Sequence, residues 1–339
     1  MDSPVFKPYN LYLLTNSGIG FLSGSSAKRI VVPYAYFQRK ILTLIAYTLY
    51  SIYVFFALTV LLLILKSRGQ NITVVVNTIL PWSAALAGKI FSCRVVFYSH
   101  ETYLKPKPLK RFLRFIVEYT ASDVIFVSRY LSLTEKYVKP KQHVVYNCIG
   151  KKDKPSGANL KERFLKGNIL FVGSLKKYKG VNTLVRLAAL LGNYSFHMVL
   201  NADKCEYNFY FSNETPPSNL EVYFRPKNLP EIYNSAALCL NLTNPKQCVE
   251  SFGMTILEAM SHSCPVIAPP FGGPIELLEG GGGLLVDPTD VKLLAREIEK
   301  LFSHYDTWID LAGCAYKRSL IFDRDGYQKS IATILESVS

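Results

Sequence analysis

Asn168-Ile-Leu-Phe-Val172, a helical stretch from Asn182 to Leu191, and His197-Met-Val-Leu200 form a strand, a helix and a strand in succession, and this stretch decides the fold. The alternation continues through Leu220-Glu-Val-Tyr223, Leu238-Cys-Leu-Asn-Leu242 and Pro265-Val-Ile-Ala268. Toward the N-terminus the same short apolar runs recur at Asn10-Leu-Tyr-Leu-Leu14, Ile72-Thr-Val-Val-Val76, Arg94-Val-Val-Phe-Tyr-Ser99, Asp123-Val-Ile-Phe-Val-Ser128 and His143-Val-Val-Tyr146. Two consecutive runs of alternating strands and helices predict an α/β protein of two Rossmann-like doubly wound domains facing a cleft. The first domain takes residues 1–150, and its strands near Ile72 and Arg94 are expected in one parallel sheet with the first strand. Residues 151–167, polar and punctuated by Pro155, Ser156 and Gly157, read as a linker. The second domain takes residues 168–315. Residues 316–339 read as a helix, Tyr316 to Val338, that is a candidate for packing back onto the first domain.

The chain has 339 residues, enough for two packed cores, and its 49% hydrophobic and 19% charged composition excludes wholesale disorder and collagen-like repeats. Seven cysteines, scattered from Cys93 to Cys314 without a C-x-x-C pair, suit a reducing compartment and leave no zinc-ligand spacing. Charge is unevenly spread. Residues 1–166 hold 24 Lys and Arg against 7 Asp and Glu, whereas the remainder holds 15 against 18. An anionic membrane surface or a phosphate-bearing substrate fits that excess. Nucleic acid is set aside, since no zinc-finger spacing, helix-turn-helix pattern or RNA-binding aromatic motif accompanies it.

From Ile41 to Leu65 there are 25 residues without a charge, bracketed by Arg39-Lys40 and Lys66-Ser-Arg68. That length crosses a bilayer. Three readings stand: a buried helix covering the parallel sheet, a helix that also dips into a membrane interface, and a true span, which would carry the first strand to the far side of the membrane. Lys105 to Ile116 sets basic residues beside Phe112, Leu113, Phe115 and Ile116, a composition suited to a surface helix on anionic lipid or to a solvated face over ordinary core.

Several stretches carry chemistry. A glycine loop with Gly18, Gly20 and Gly24 follows the first strand and suits close approach of backbone to a ligand. Its spacing is one residue longer than the dinucleotide fingerprint, so no cofactor is expected. Glu250-Ser-Phe-Gly-Met-Thr-Ile-Leu-Glu258-Ala-Met is followed by Pro265-Val-Ile-Ala-Pro-Pro-Phe-Gly-Gly-Pro-Ile-Glu276. Gly253 and the residues after it can open a helix whose free N–H groups face a phosphate. Asp323-Arg-Asp325 has D-x-D spacing but lies far from any nucleotide cradle in the sequence, and no metal site is expected.

The two glutamates seven residues apart, S-F-G after the first, E-A-M at the second, and then P-V-I and G-G-x-x-E resemble the donor site of retaining GT-B glycosyltransferases, glycosyltransferase family 4. Phe171-Val-Gly-Ser-Leu175 with Lys179-Gly180 resembles the family's F-V-G-R-L and K-G segment, and Tyr98-Ser-His100-Glu101-Thr ends an N-terminal strand in similar fashion. The resemblance implies a metal-independent, retaining transfer of a sugar from a nucleotide diphosphate sugar to an acceptor hydroxyl, within surface polysaccharide assembly. It implies that Glu250 accepts from sugar hydroxyls and Glu258 from the ribose. Ser251, Phe252, Gly253 and Met254 would line the donor. Lys179 would meet the leaving diphosphate, His100 would touch the donor sugar, and Glu101 would reach the acceptor. The family's arginine is replaced by Ser174. Lys176 and Lys177 follow, either as substitutes or as solvated loop lysines. A basic, aromatic-rich first domain suits a lipid-linked glycan acceptor and a peripheral, cytoplasmic position on the inner membrane face. An inactive nucleotide-sugar-binding scaffold, and a sugar-nucleotide epimerase or phosphorylase of similar fold, are the rival readings.

Overall fold

The computed structural model describes residues 9–16, 27–34, 40–102, 104–150, 157–212 and 215–337. The chain divides into two compact units, one of residues 1–127, 131–145 and 325–339, the other of residues 128–130 and 146–324.

The first unit opens with β1 (Tyr12–Asn16), β2 (Lys28–Val32) and the long helix α1 (Lys40–Ser67). There follow β3 (Thr73–Asn77), α2 (Trp82–Ile90), β4 (Arg94–Ser99), α3 (Lys107–Thr120), β5 (Asp123–Phe126), α4 (Arg129–Thr134), whose first two residues are counted with the second unit, and β6 (Lys141–Val144). β3 to β6 form a parallel sheet in sequential order. Because parallel crossovers are right-handed, that order places α2 and α3 on one face of the sheet.

β1 is not a member of this sheet, contrary to expectation. It pairs with β2, a strand the sequence reading did not include, in a separate two-stranded parallel sheet. The reason is visible in burial: β4 and β5 are buried almost throughout, as strands covered on both faces must be, whereas no residue of β1 is fully buried.

α1 is likewise not a buried cover for the sheet. Only 28% of its most apolar window is buried. One stripe, with Ser51, Val54, Leu58 and Leu62, is buried, and α1 packs against α2, while the Tyr47 hydroxyl donates to the Leu80 carbonyl at 2.6 Å. The opposite stripe, Leu49, Ile52, Phe56, Val60 and Leu63, is exposed. A helix apolar on all sides carries no sequence signal of which stripe packs.

The second unit holds α5 (Gly157–Lys166), β7 (Ile169–Gly173), α6 (Val181–Leu190), β8 (Phe196–Leu200), α7 (Lys204–Tyr210), β9 (Leu220–Phe224) and α8 (Leu229–Ser235). It continues through β10 (Leu238–Leu240), α9 (Met254–Ser261), β11 (Val266–Ala268), α10 (Gly273–Leu278), β12 (Gly283–Leu285), α11 (Val291–Phe302) and α12 (Tyr305–Ser319). Its six parallel strands run β12-β11-β10-β7-β8-β9. The chain therefore moves outward from β7 to β9 and returns to the other side of β7 at β10. The core under this sheet includes Phe171, Leu184, Phe196, Leu238 and Trp308, whose indole N–H donates to the Ala237 carbonyl at 2.7 Å.

Two boundaries differ from expectation. The segment read as a linker contains α5, whose Leu160 is buried and whose buried Arg163 donates to the carbonyls of Ala236 (2.9 Å) and His262 (2.8 Å). A basic, polar stretch looks solvated in sequence, but its arginine serves main-chain oxygens. The expected C-terminal helix is broken: α12 ends in a turn at Leu320–Phe322, and the last helix is α13 (Arg324–Glu336). Phe322 causes the break by turning inward onto the rings of Tyr146 (5.5 Å) and Phe252 (5.8 Å). Within the first unit, Arg94 is held by Asp123 and donates to the last carbonyls of α13, at Ile334 (2.6 Å) and Leu335 (2.9 Å). A helix C-terminus leaves such oxygens open, and a cation there also meets the negative end of the helix dipole.

Candidate functional site

The return of the second sheet at β7 and β10 is a topological switch point, where loops leave the carboxyl ends of two neighbouring strands in opposite directions and open a crevice. A cavity of about 290 Å³ lies there. Its wall is made by Phe171 to Ser174 after β7, Asn241 to Thr243 after β10, Glu250 to Thr255 at the start of α9, Lys179, and Asn147. The sequence-predicted Ser174, Lys179, Glu250, Ser251, Phe252, Gly253 and Met254 are thus brought together.

Lys179 and Glu250 meet inside it, Nζ to Oε2 at 2.7 Å. The Thr243 hydroxyl donates to the same carboxylate oxygen at 3.2 Å. Two loop contacts fix these side chains. Gly180 sits at φ 84°, and a Cβ there would strike the Leu242 carbonyl, so only glycine lets the Lys179 turn lie on the strand-end loop. Gly272, at φ 73°, would similarly strike the Glu250 carbonyl, and the neighbouring Gly273 N–H donates to that oxygen at 2.9 Å. The backbone carrying Glu250 is therefore clamped from the α10 side. Gly253 stands at the N-cap of α9, where the amides of Ile256 and Leu257 bond to its carbonyl. The first-turn amides of Met254 and Thr255 precede them at the cavity wall. A helix leaves its first N–H groups without internal partners, and with the dipole they favour an anion.

Glu258 lies one helical turn beyond Met254 and is not among the residues lining the cavity. Its carboxylate accepts from the buried Tyr233 hydroxyl at 2.8 Å. Burial first, and neighbouring negative groups second, push that phenol well above its ordinary range, so it remains a donor. Glu276 is buried and accepts the amides of Arg129 (2.9 Å) and Tyr130 (2.6 Å) and the Tyr146 hydroxyl (2.9 Å). It is a main-chain staple. Thr243, Asn241, Tyr233 and Asn147 were missed by sequence reading. The signal for the first two was present, as polar residues within and directly after the apolar run Leu238-Cys-Leu-Asn-Leu242.

In the first unit, His100 and Glu101 follow β4. The His100 ring packs edge-on against Tyr98 and meets the Asn77 carboxamide oxygen at 2.9 Å through Nε2. Burial pushes its pKa down to about 4, so the ring is neutral near pH 7. With an oxygen opposite Nε2, the proton sits there and Nδ1 is left as an acceptor. Burial pushes the Glu101 carboxyl up, while the amides of His100, Glu101 and Ile79 and the Thr78 side chain pull against it. As placed, Glu101 secures the loop by accepting main-chain donors. Gly18 and Gly20 lie outside the described residues. Among the described residues, no cluster of three His, Cys, Asp or Glu side chains is arranged to hold a metal ion.

Lys110, expected on a lipid-facing surface, is paired instead. It and Arg114 both bind Glu135, at 2.5 and 2.7 Å. The exposed side of α3 carries Lys107, Arg111, Phe112, Phe115 and Tyr119.

Comparison with known proteins bears on the second unit most directly. Residues 154–312 match the family described as glycosyl transferases group 1. Sucrose-phosphate synthase of Zea mays is 37% identical over 82 residues, which is 24% of this chain and 8% of that protein. The chain thus spans a small fraction of the curated relatives it matches. Among solved structures, HepE of Anabaena, crystallised with UDP and glucose, superposes with a TM-score of 0.76 at 18% identity, covering 98% of this chain and 94% of that one. Sucrose-phosphate synthase of Thermosynechococcus elongatus gives a TM-score of 0.70 at 16% identity, over 91% and 82% of the two chains. These likenesses show the fold. Residues 154–312 thus resemble the group 1 glycosyl transferases, in a chain that has the GT-B fold.

Proposed function

We propose that the protein is a retaining glycosyltransferase that moves a sugar from a nucleotide diphosphate sugar to an acceptor hydroxyl without a metal ion. The observation that carries this reading is the cavity at the β7–β10 switch point. It joins a helix N-terminus suited to phosphate, the ammonium of Lys179, and Glu250 as the one carboxylate in the lining among the described residues. HepE was crystallised with UDP and with UDP-glucose, which makes a uridine diphosphate sugar the first donor to test.

In the reaction the bond between the anomeric carbon and the diphosphate oxygen breaks, and a bond from that carbon to the acceptor oxygen forms. The acceptor proton passes to the departing phosphate oxygen. Lys179 and the first amides of α9 stabilise the charge that grows on the diphosphate, the largest kind of contribution such a site makes. Glu250 orients the sugar through its hydroxyls. Double displacement through an enzyme ester would need a nucleophile with a second acid-base group. The carboxylate that the described residues place in the lining is already engaged by Lys179 and Thr243, which favours attack and departure on one sugar face.

The acceptor in this reading is a lipid-linked glycan, met at an anionic membrane. Its supports lie in the first unit: the exposed apolar stripe of α1, the basic and aromatic face of α3, and the positive excess of residues 1–166. α1 packs on α2, and α2 and α3 share one sheet face, so these features belong to one layer. An interfacial position for α1 satisfies both its buried and its exposed stripes. The test is UDP release from UDP-glucose with lipid extract present, together with NMR of the anomeric centre in the product. Inversion at that centre overturns the retaining assignment, and release that depends on manganese and stops with EDTA overturns the metal-free one.

A further inference from the structure

The Lys179 ammonium is neutralised by Glu250 at 2.7 Å. Among the described residues, no other cationic residue lines the cavity. The α9 N-terminus contributes the equivalent of about half a positive charge. A nucleoside diphosphate brings at least two negative charges and leaves with more, so the cavity as lined is short of positive charge.

The turn after β7 holds Lys176, Lys177 and Lys179 around Tyr178. The ammonium groups of Lys176 and Lys179 each lie 5.8 Å from the centre of the Tyr178 ring. That separation is within reach of cation–π attraction. Tyr178 is fixed in turn, because its carbonyl accepts the Asn244 amide at 2.8 Å, tying the lysine turn to the loop that leads to Glu250. Lys176 is felt within that loop: burial pushes the Cys248 thiol up, and both Lys179 and Lys176 pull it down. Lys177 makes neither contact among the described residues.

From this geometry we propose that Lys176 is the second cation of the diphosphate site, held beside Lys179 by the ring of Tyr178. The assignment rests on the donor reading above. It gives the turn a division of labour, with Lys179 linking diphosphate to sugar through Glu250 and Lys176 supplying charge that, among the described residues, no carboxylate pairs with.

The test compares affinities for UDP and UMP by calorimetry in the wild type and in Lys176→Ala, Lys176→Arg, Lys177→Ala and Tyr178→Leu. Lys176→Ala and Tyr178→Leu should weaken UDP about tenfold and UMP less than twofold. Lys176→Arg should retain UDP binding, and Lys177→Ala should bind both nucleotides as the wild type does. Equal losses in Lys176→Ala and Lys177→Ala would assign the effect to general surface charge and overturn the proposal, as would an unchanged UDP affinity in Lys176→Ala. A wild type that binds UDP normally while Lys176→Ala is silent overturns this inference alone. A wild type that binds none of UDP, GDP and ADP overturns the donor reading and this inference with it; where GDP or ADP is the one bound, the same comparison is made with that diphosphate and its monophosphate.

Discussion

Glu250 and Lys179 bind each other in the β7–β10 cavity, and that has a measurable signature. Glu250→Gln keeps shape and hydrogen bonding but frees the Lys179 charge, so transfer should fall on the order of 100-fold while the affinity for bare UDP holds or rises. Parallel losses in both would show that Glu250 only maintains the loop. At Gly180 the φ of 84° and the closeness of Leu242 leave no room for a side chain. Gly180→Ala should cost about 2 kcal/mol in urea unfolding and also weaken UDP, because Lys179 precedes it. Undiminished stability would show that the turn relaxes freely. His100 yields a pH prediction. Its folded pKa, about 4, lies below the unfolded value near 6.5, so the unfolded chain takes up a proton first as pH falls. Its burial therefore costs nothing above pH 6.5, and stability is lost progressively between pH 6.5 and 4. Glu101 acts in the opposite sense, because its raised pKa lets the folded state hold a proton longer and favours folding as pH drops. The difference between wild type and His100→Asn isolates the histidine. The variant should show a flatter stability profile from pH 7 to 5, and identical slopes would contradict the buried neutral ring.

Among the elements, central strands such as β4 and β5 were legible because both their faces are buried and their sequences are continuous apolar runs, as at Arg94 to Ser99. β2 and β12 were not. β2 begins with exposed Lys28 and Arg29, and β12 is three residues, Gly283 to Leu285, none fully buried. The packing of α1 was illegible for a different reason, since its composition is apolar on every side and only α2 selects the stripe to be buried. The role of α3 was half legible. Its basic and aromatic residues are evident in sequence, but the separation of Lys110 and Arg114, which face Glu135, from Lys107 and Arg111, which face outward, depends on the helix's rotation against its neighbours. This sorting predicts vesicle binding residue by residue. Replacing Lys107 and Arg111 by alanine, or Leu49 and Phe56 of α1 by serine, should release the protein from anionic vesicles. Lys110→Ala should leave vesicle binding intact. Each outward cation contributes about 1 kcal/mol near such a surface, an effect weakened by salt. Retention of the double charge variant on vesicles at low salt would remove the first unit's charge from the account.

For the whole molecule, the sequence located the second unit's site more completely than the first's. The Glu250 to Glu276 stretch is local, so one helix start and two loops, clamped by Gly272, bring most of its residues to one cavity. What remained hidden came from distant segments: Asn147 from before α5, Thr243 from after β10, and Tyr233 from α8 beneath Glu258. Such pairings follow from strand order, which spacing along a chain does not encode. Glu258 illustrates the limit, since its motif position suggests ribose contact while its carboxylate is engaged by Tyr233 outside the cavity lining. The account rests on the β7–β10 cavity being a nucleoside diphosphate site, and calorimetric titration of the wild type and Lys179→Ala with UDP, GDP and ADP tests it most directly. It predicts saturable binding of one equivalent of one of these nucleotides by the wild type, weakened at least tenfold in Lys179→Ala. Absence of binding by all three at millimolar concentration, or equal affinity in wild type and variant, would contradict it.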